Sequence, residues 1–175
     1  WKHVELIRHR WKGKLVVKGL ISPADARIAR ESGVDGVIIS NHAGRQLDFT
    51  VSALRTLPEI AAEAGGMTVM LDGGVRRGTD VTKALALGAR FVFVGRPLLY
   101  AAVAGGEPAV QRALTLLKEE IHRDLALLGT RRTARRHGGP HALRVPAHRG
   151  PVGHRAREER VRQPQAARPE HHREP

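Results

Sequence analysis

The sequence contains no cysteine, and only 3% of its residues are aromatic. The first absence excludes a disulfide framework, a thiolate metal site and a thiol nucleophile. The second leaves the core to Val, Leu, Ile and Ala. No apolar run reaches the roughly 20 residues that a helix needs to cross a bilayer. Trp1-Lys2-His3 does not begin a secretory signal, and without an initiator Met it reads as a cut through a longer chain. A reducing compartment fits the missing cysteine, and the expected location is cytoplasmic or peripheral to the inner membrane.

Acidic residues are scarce too: 17 Asp+Glu stand against 30 Lys+Arg, a net charge of +13 with His neutral. Residues 131–175 hold 12 Arg against 4 Glu, whereas 1–130 hold 18 Lys+Arg against 13 Asp+Glu. The last stretch has no Ile, Met, Phe, Tyr or Trp. It cannot bury enough apolar surface to offset its ordering entropy and is predicted to be disordered. An Arg-rich tail can bind nucleic acid or acidic surfaces. The favoured reading is a frameshifted or unselected extension, because no aromatics interleave for base stacking. The folded domain is placed in residues 1–130.

Within those residues one pattern recurs. After a short helical stretch at 1–12, Leu15 to Lys18 form an apolar strand, and Ser22-Pro23-Ala24-Asp25 open a helix that closes near Gly33. Val37 to Ser40 form a second strand, followed by helix over 51–64 with Pro58 as a potential break. Thr68 to Leu71 form a third strand ending at Asp72, with a helix from Asp80 to Leu87. Phe91 to Val94 form the fourth, ending at Gly95-Arg96-Pro97. A final helix starts at Glu107-Pro108 with a buried stripe at Val110, Leu114, Leu117, Ile121, Leu125 and Leu128. The strands are apolar throughout, as expected of parallel strands covered on both faces. No Gly-x-Gly-x-x-Gly follows any of them, which argues against a dinucleotide-binding doubly wound sheet.

The chemistry gathers at the strand ends. Ser40, Asn41, His42, Arg45 and Asp48 place five proton-binding or hydrogen-bonding groups within nine positions. Lys18, Asp72 and Gly95-Arg96 close the other strands. Active sites at the carboxyl ends of successive parallel strands are the habit of (β/α)₈ barrels. A full barrel needs roughly 250 residues, so four units predict about half of one. Gly73-Gly74-Val75-Arg76 and Gly95-Arg96 combine bare amides with guanidiniums, as a phosphate site requires. Barrel phosphate sites usually follow strands 7 and 8, so the units correspond to strands 5–8. Arg77 is expected to be a solvated neighbour of Arg76, and Asp48 and Asp80 to cap the helices that follow them. No histidine shows metal-ligand spacing, and no metal is assigned.

Ser40-Asn41-His42-Ala43-Gly44-Arg45-Gln46-Leu47-Asp48, Asp72-Gly73-Gly74-Val75-Arg76-Arg77-Gly78-Thr79-Asp80 and Gly95-Arg96-Pro97 resemble the FMN-dependent α-hydroxy acid dehydrogenases and oxidases. The resemblance covers about residues 1–130 and implies a (β/α)₈ barrel. It also implies FMN as cofactor and oxidation of a small (S)-2-hydroxy acid to a 2-oxo acid. By the same resemblance, Lys18 would lie at the flavin N1/O2 edge and Ser40 would contact the flavin. His42 would be the base, since imidazole as a type takes and returns protons near neutral pH. Arg45 would clamp the substrate carboxylate, and His42 would also touch substrate. Asp72 would hold ribityl hydroxyls, Arg76, Gly95 and Arg96 would take the phosphate, and Gly73, Gly74 and Val75 would belong to the same cofactor site. The electron acceptor stays open between oxygen, quinone and cytochrome, and the full-length family is often tetrameric. Ala43 stands where glycine is commoner, which an ordinary backbone angle would tolerate. Two other readings remain: a different phosphate-binding barrel enzyme such as an isomerase, and a non-enzymatic half-barrel with a basic tail that binds nucleic acid or acidic surfaces.

Overall fold

Four short runs rich in β-branched and aromatic residues form strands: β1 Val16–Leu20, β2 Gly36–Ile39, β3 Thr68–Asp72 and β4 Phe91–Phe93. They form one sheet in the order β1-β2-β3-β4, each neighbouring pair parallel. Helix α1 is Lys2–Arg10, and α2 Pro23–Glu31, α3 Ala53–Glu63, α4 Gly78–Ala86 and α5 Arg96–Leu127 follow the strands in turn. This computed structural model describes residues 1–130, and the disordered basic tail expected at 131–175 lies outside the described residues.

The core lies between the sheet and its helices. Val37 and Ile39 of β2 pair with Val69 and Leu71 of β3, and Leu57 and Ile60 of α3 are fully buried with them. Burying each such side chain contributes roughly 1.5–3 kcal/mol. Ala26, Ala29 and Ala84 are equally buried; their small side chains let α2 and α4 approach closely. This packing carries α3 through Pro58 as one helix, so the expected break does not occur.

The expectation of cover on both faces is corrected. Successive strand residues point to opposite faces, and on the face away from the core Val16, Phe91 and Phe93 are exposed. The described helices cover one side only. A bulge between Lys18 and Leu20 shifts the register so that Leu20 pairs with Ile39. Gly19 absorbs it at φ 100°, which turns Leu20 into the core and leaves Lys18 on the open face.

The helix boundaries also differ from expectation. Helix α4 begins at Gly78, because Asp80 reaches back to the N–H groups before it. Helix α5 begins at Arg96 and contains a kink at Gly105 and Gly106, where φ/ψ leave the helical region. The segment expected to start at Glu107 is therefore its second limb. Of the expected stripe only Leu125 is buried, while Leu114 and Leu128 are exposed; α4 is the element that α5 packs against most.

Candidate active site

Parallel pairing sets the carboxyl ends of β1, β2 and β3 side by side, and their last polar residues meet. Ser40, just beyond β2, is 1% exposed. Its Oγ accepts from Lys18 Nζ at 3.1 Å and from the His42 N–H at 3.0 Å, and donates to Asp72 Oδ2 at 2.9 Å. A hydroxyl has one donor and two acceptor places, so all three are filled within the chain. Lys18 Nζ also lies 2.6 Å from Asp72 Oδ2. Burial raises the Asp72 pKa, but hydrogen bonds from Lys18 and Ser40, the Lys18 charge and the Gly73 N–H together outweigh it. Its carboxyl sits below the ordinary 3.8.

The polar cluster after β2 folds as a single 3₁₀ turn, His42–Gly44. His42 and Ala43 have φ of 51° and 56°, the left-handed region that costs an L-residue roughly 1–2 kcal/mol. The Ala43 angle is therefore not the ordinary one that its methyl would favour. Asn41 Oδ1 accepts from the Ala43 N–H at 2.9 Å, and Arg96 Nη2 donates to the Ala43 carbonyl at 3.3 Å. Gly19 faces the imidazole: a Cβ there would stand 3.2 Å from His42 Cε1. Asp48 caps no helix; its Oδ1 accepts from the Phe49 N–H beside it, and α3 starts later, after Ser52.

The loop after β3 is pinned from two sides. Asp80 Oδ2 accepts from the N–H groups of Arg76 and Arg77 at 2.9 and 3.0 Å. Glu120 of α5 accepts from the Gly78 N–H at 2.7 Å and pairs with Arg77 at 2.6 Å. Those bonds, the Gly78 N–H foremost, hold the Glu120 carboxyl below its ordinary 4.5. Arg77 is thus a partner of α5, where a merely solvated residue was expected. Carboxylates already occupy these N–H groups at the start of α4. Gly74 and Gly95 instead leave open space beside the chain, with nothing within 4 Å of where a Cβ would stand, and Gly95 caps α5.

These elements enclose a cleft of about 570 Å³. Lys18, His42, Arg45, Asp72, Gly73, Gly74, Val75, Arg76, Gly95 and Arg96 all line it, and Ser40 does not. Sequence reasoning missed Gln46, Phe93, Leu99 and Tyr100, which also line it. Tyr100 was detectable, since it is the chain's one tyrosine and falls one helical turn after Arg96. Lys18, Arg45, Arg76 and Arg96 stand against the single carboxylate Asp72 among the lining residues. A cationic cleft with bare glycine backbone in its wall fits a phosphate-bearing cofactor together with an acidic substrate.

A family model described as FMN-dependent dehydrogenase matches residues 1–139. The chain is 49% identical to an L-lactate dehydrogenase of Caulobacter vibrioides over 135 residues, 77% of the chain and 35% of that protein. It is 47% identical to an L-lactate dehydrogenase of Stenotrophomonas maltophilia over 135 residues, 77% of the chain and 36% of that protein. A crystal structure of mandelate oxidase with 3,3-difluoro-2-hydroxy-3-phenylpropionic acid superposes at a TM-score of 0.70 and 44% identity. It covers 74% of this chain and 40% of that one. A mandelate oxidase mutant with the monooxide FMN adduct matches equally well, over 42% of its length. The chain thus spans about a third of the length of the curated relatives it matches, and its parallel α/β sheet is part of a barrel of this kind. With its motifs, its fold and these relatives in agreement, the chain belongs to the FMN-dependent dehydrogenase family.

Proposed function

We propose that residues 1–130 supply half of an FMN-binding barrel whose site oxidises a small (S)-2-hydroxy acid to the 2-oxo acid. The observation that carries this reading is the single cleft in which Lys18, His42, Arg45, Arg76 and Arg96 converge. FMN, where bound, accepts the two electrons of the oxidation. Arg76, Gly95 and Arg96 would hold its phosphate and Asp72 its ribityl hydroxyls, with Gly73, Gly74 and Val75 lining the same part of the cleft. Lys18 offers positive charge to the flavin's electron-rich edge, held in place by Ser40 and Asp72. Arg45 binds the substrate carboxylate through two parallel hydrogen bonds. His42 takes up the proton that the hydroxy acid loses. No helix among the described residues is long and apolar enough to cross a membrane. We place the reaction in the cytoplasm or at the inner membrane surface, with oxygen, a quinone or a cytochrome as acceptor, and the assembled full-length protein as a tetramer.

The test is spectroscopic. The chain is purified with FMN, its visible spectrum is recorded, and L-lactate, glycolate and mandelate are added anaerobically. Because the chain supplies half of the barrel, weak flavin binding is expected, and bound flavin that bleaches with one of these acids supports the reaction. Flavin that binds but is reduced by none would overturn the reaction, and the absence of bound flavin would overturn cofactor binding by this chain. A His42→Asn variant that bleaches at the unaltered rate removes His42 from the proton transfer.

A further inference from the structure

We infer that Asn41 is a positioning residue for His42 and Arg45: its side-chain amide holds the left-handed turn that presents both over the cleft. The proposal rests on the 2-hydroxy acid reading for its catalytic consequence, but its geometric part stands without it. Two consecutive L-residues at φ 51° and 56° form a conformation that the backbone alone disfavours. Something outside the backbone has to hold it. The His42 N–H is fixed at the entry to the turn by donating to Ser40 Oγ. Beyond that point Asn41 spans the segment from both ends of its amide. Oδ1 accepts from the Ala43 N–H across His42, and Nδ2 donates to the Val51 carbonyl at 3.2 Å. The first bond closes a turn around His42, and the second ties the far end of the loop that contains Arg45 back to the end of β2.

The chemistry of the residue matches this double task. Among short side chains only Asn offers both an acceptor and a donor in one plane; Asp lacks the donor, and Ser and Ala cannot reach both partners. The neighbouring loop leaves room for it. A Cβ at Gly73 would stand 3.2 Å from Asn41 Oδ1 and 3.6 Å from the Ala43 nitrogen. The bare Gly73 backbone therefore lets the Asn41 amide lie between the turn and the loop after β3. One side chain thus ties the turn that carries the proposed proton-transfer residue to the far end of the loop that carries the proposed carboxylate clamp.

The outcome is read first without any flavin. In the whole chain, the Gly19 Hα protons and the His42 Hε1 proton are close enough for a nuclear Overhauser contact, because the imidazole stands directly over Gly19. The contact is expected in the unaltered chain and in Asn41→Asp, which keeps the acceptor for Ala43, and is expected to be lost in Asn41→Ala. A folded Asn41→Ala variant that keeps the contact overturns the inference. So does a folded Asn41→Asp variant that loses it, and this second variant decides the matter if the alanine variant fails to fold. Where flavin binds, Asn41→Ala should slow its reduction by hydroxy acid about 100-fold, the effect of a reacting group misplaced by about 1 Å, with FMN affinity unaltered. Loss of flavin binding in the unaltered chain would count against the proposed function and leave the proton contact to judge Asn41.

Discussion

Lys18 and Asp72 form a 2.6 Å ion pair although their strands are not neighbours: β2 stands between them, and the pair closes over its end at Ser40. The three strand ends are therefore tied by side chains as well as by the backbone ladder. Since the folded Asp72 carboxyl lies below its ordinary 3.8, the contribution to stability is fully present above that value. It is lost as the pH falls through the depressed folded value. Asp35, held at about 2 by Lys14, the Leu15 N–H and Arg8, acts with the same sign. Urea midpoints of the unaltered chain should fall more steeply below pH 4 than those of Asp72→Asn, which retains only the slopes of Asp35 and Glu120. Parallel curves would mean that the pair does not hold in solution.

The angle at Ala43 leads to a stabilising substitution. At φ 56° a Cβ costs roughly 1–2 kcal/mol that glycine does not incur, more than the roughly 0.4–1 kcal/mol of entropy that glycine adds to the unfolded chain. Ala43→Gly is expected to raise the urea midpoint. A lowered midpoint would show that the turn relaxes out of the left-handed region.

Gly78 gives the opposite sign. Inside a helix, Gly→Ala normally gains about 1 kcal/mol. Here the new Cβ would lie 2.5 Å from Glu120 Cβ and 2.6 Å from the Ile121 nitrogen, so α5 would have to move. Overpacking of this kind costs roughly 1–3 kcal/mol. Gly78→Ala should therefore destabilise by thermal melting, and any gain in stability would refute the close seating of α5 on α4.

For Arg45, which is exposed on the cleft and makes no ion pair among the described residues, the expected effect is on substrate alone. Arg45→Met should weaken hydroxy acid binding about 10–100-fold, the loss of a charge-assisted hydrogen bond, while FMN titrates as before. Equal weakening of both ligands would place Arg45 at the phosphate rather than the carboxylate.

Much of the fold could be read because local patterns decide it. The four apolar runs, the Ser22-Pro23 start and the glycines at helix ends specify strands and helices within a few residues. The places where that reading failed are those where distant residues act. Pro58 stays within α3 because Leu57 and Ile60 are buried around it. The start of α4 is set by Asp80 and by Glu120, which is 42 positions from Gly78. The open face of the sheet could not be read from strands that are apolar on both sides.

The groups of the candidate site were legible in the chain alone: the His42 and Arg45 motif, the glycine and arginine loops, and the lysine at the end of the first strand. Residue type and order carry that information directly. How these groups are held became visible in the contacts between strands and helices. The tertiary fold placed Ser40 beneath the cleft with its hydroxyl fully used, turned Arg77 towards Glu120, and gave Asn41 its two partners around a left-handed turn. The physical reason is that a hydrogen bond or a contact needs two partners. Here the second partner arrives from another strand or helix, at a distance along the chain that no local pattern records.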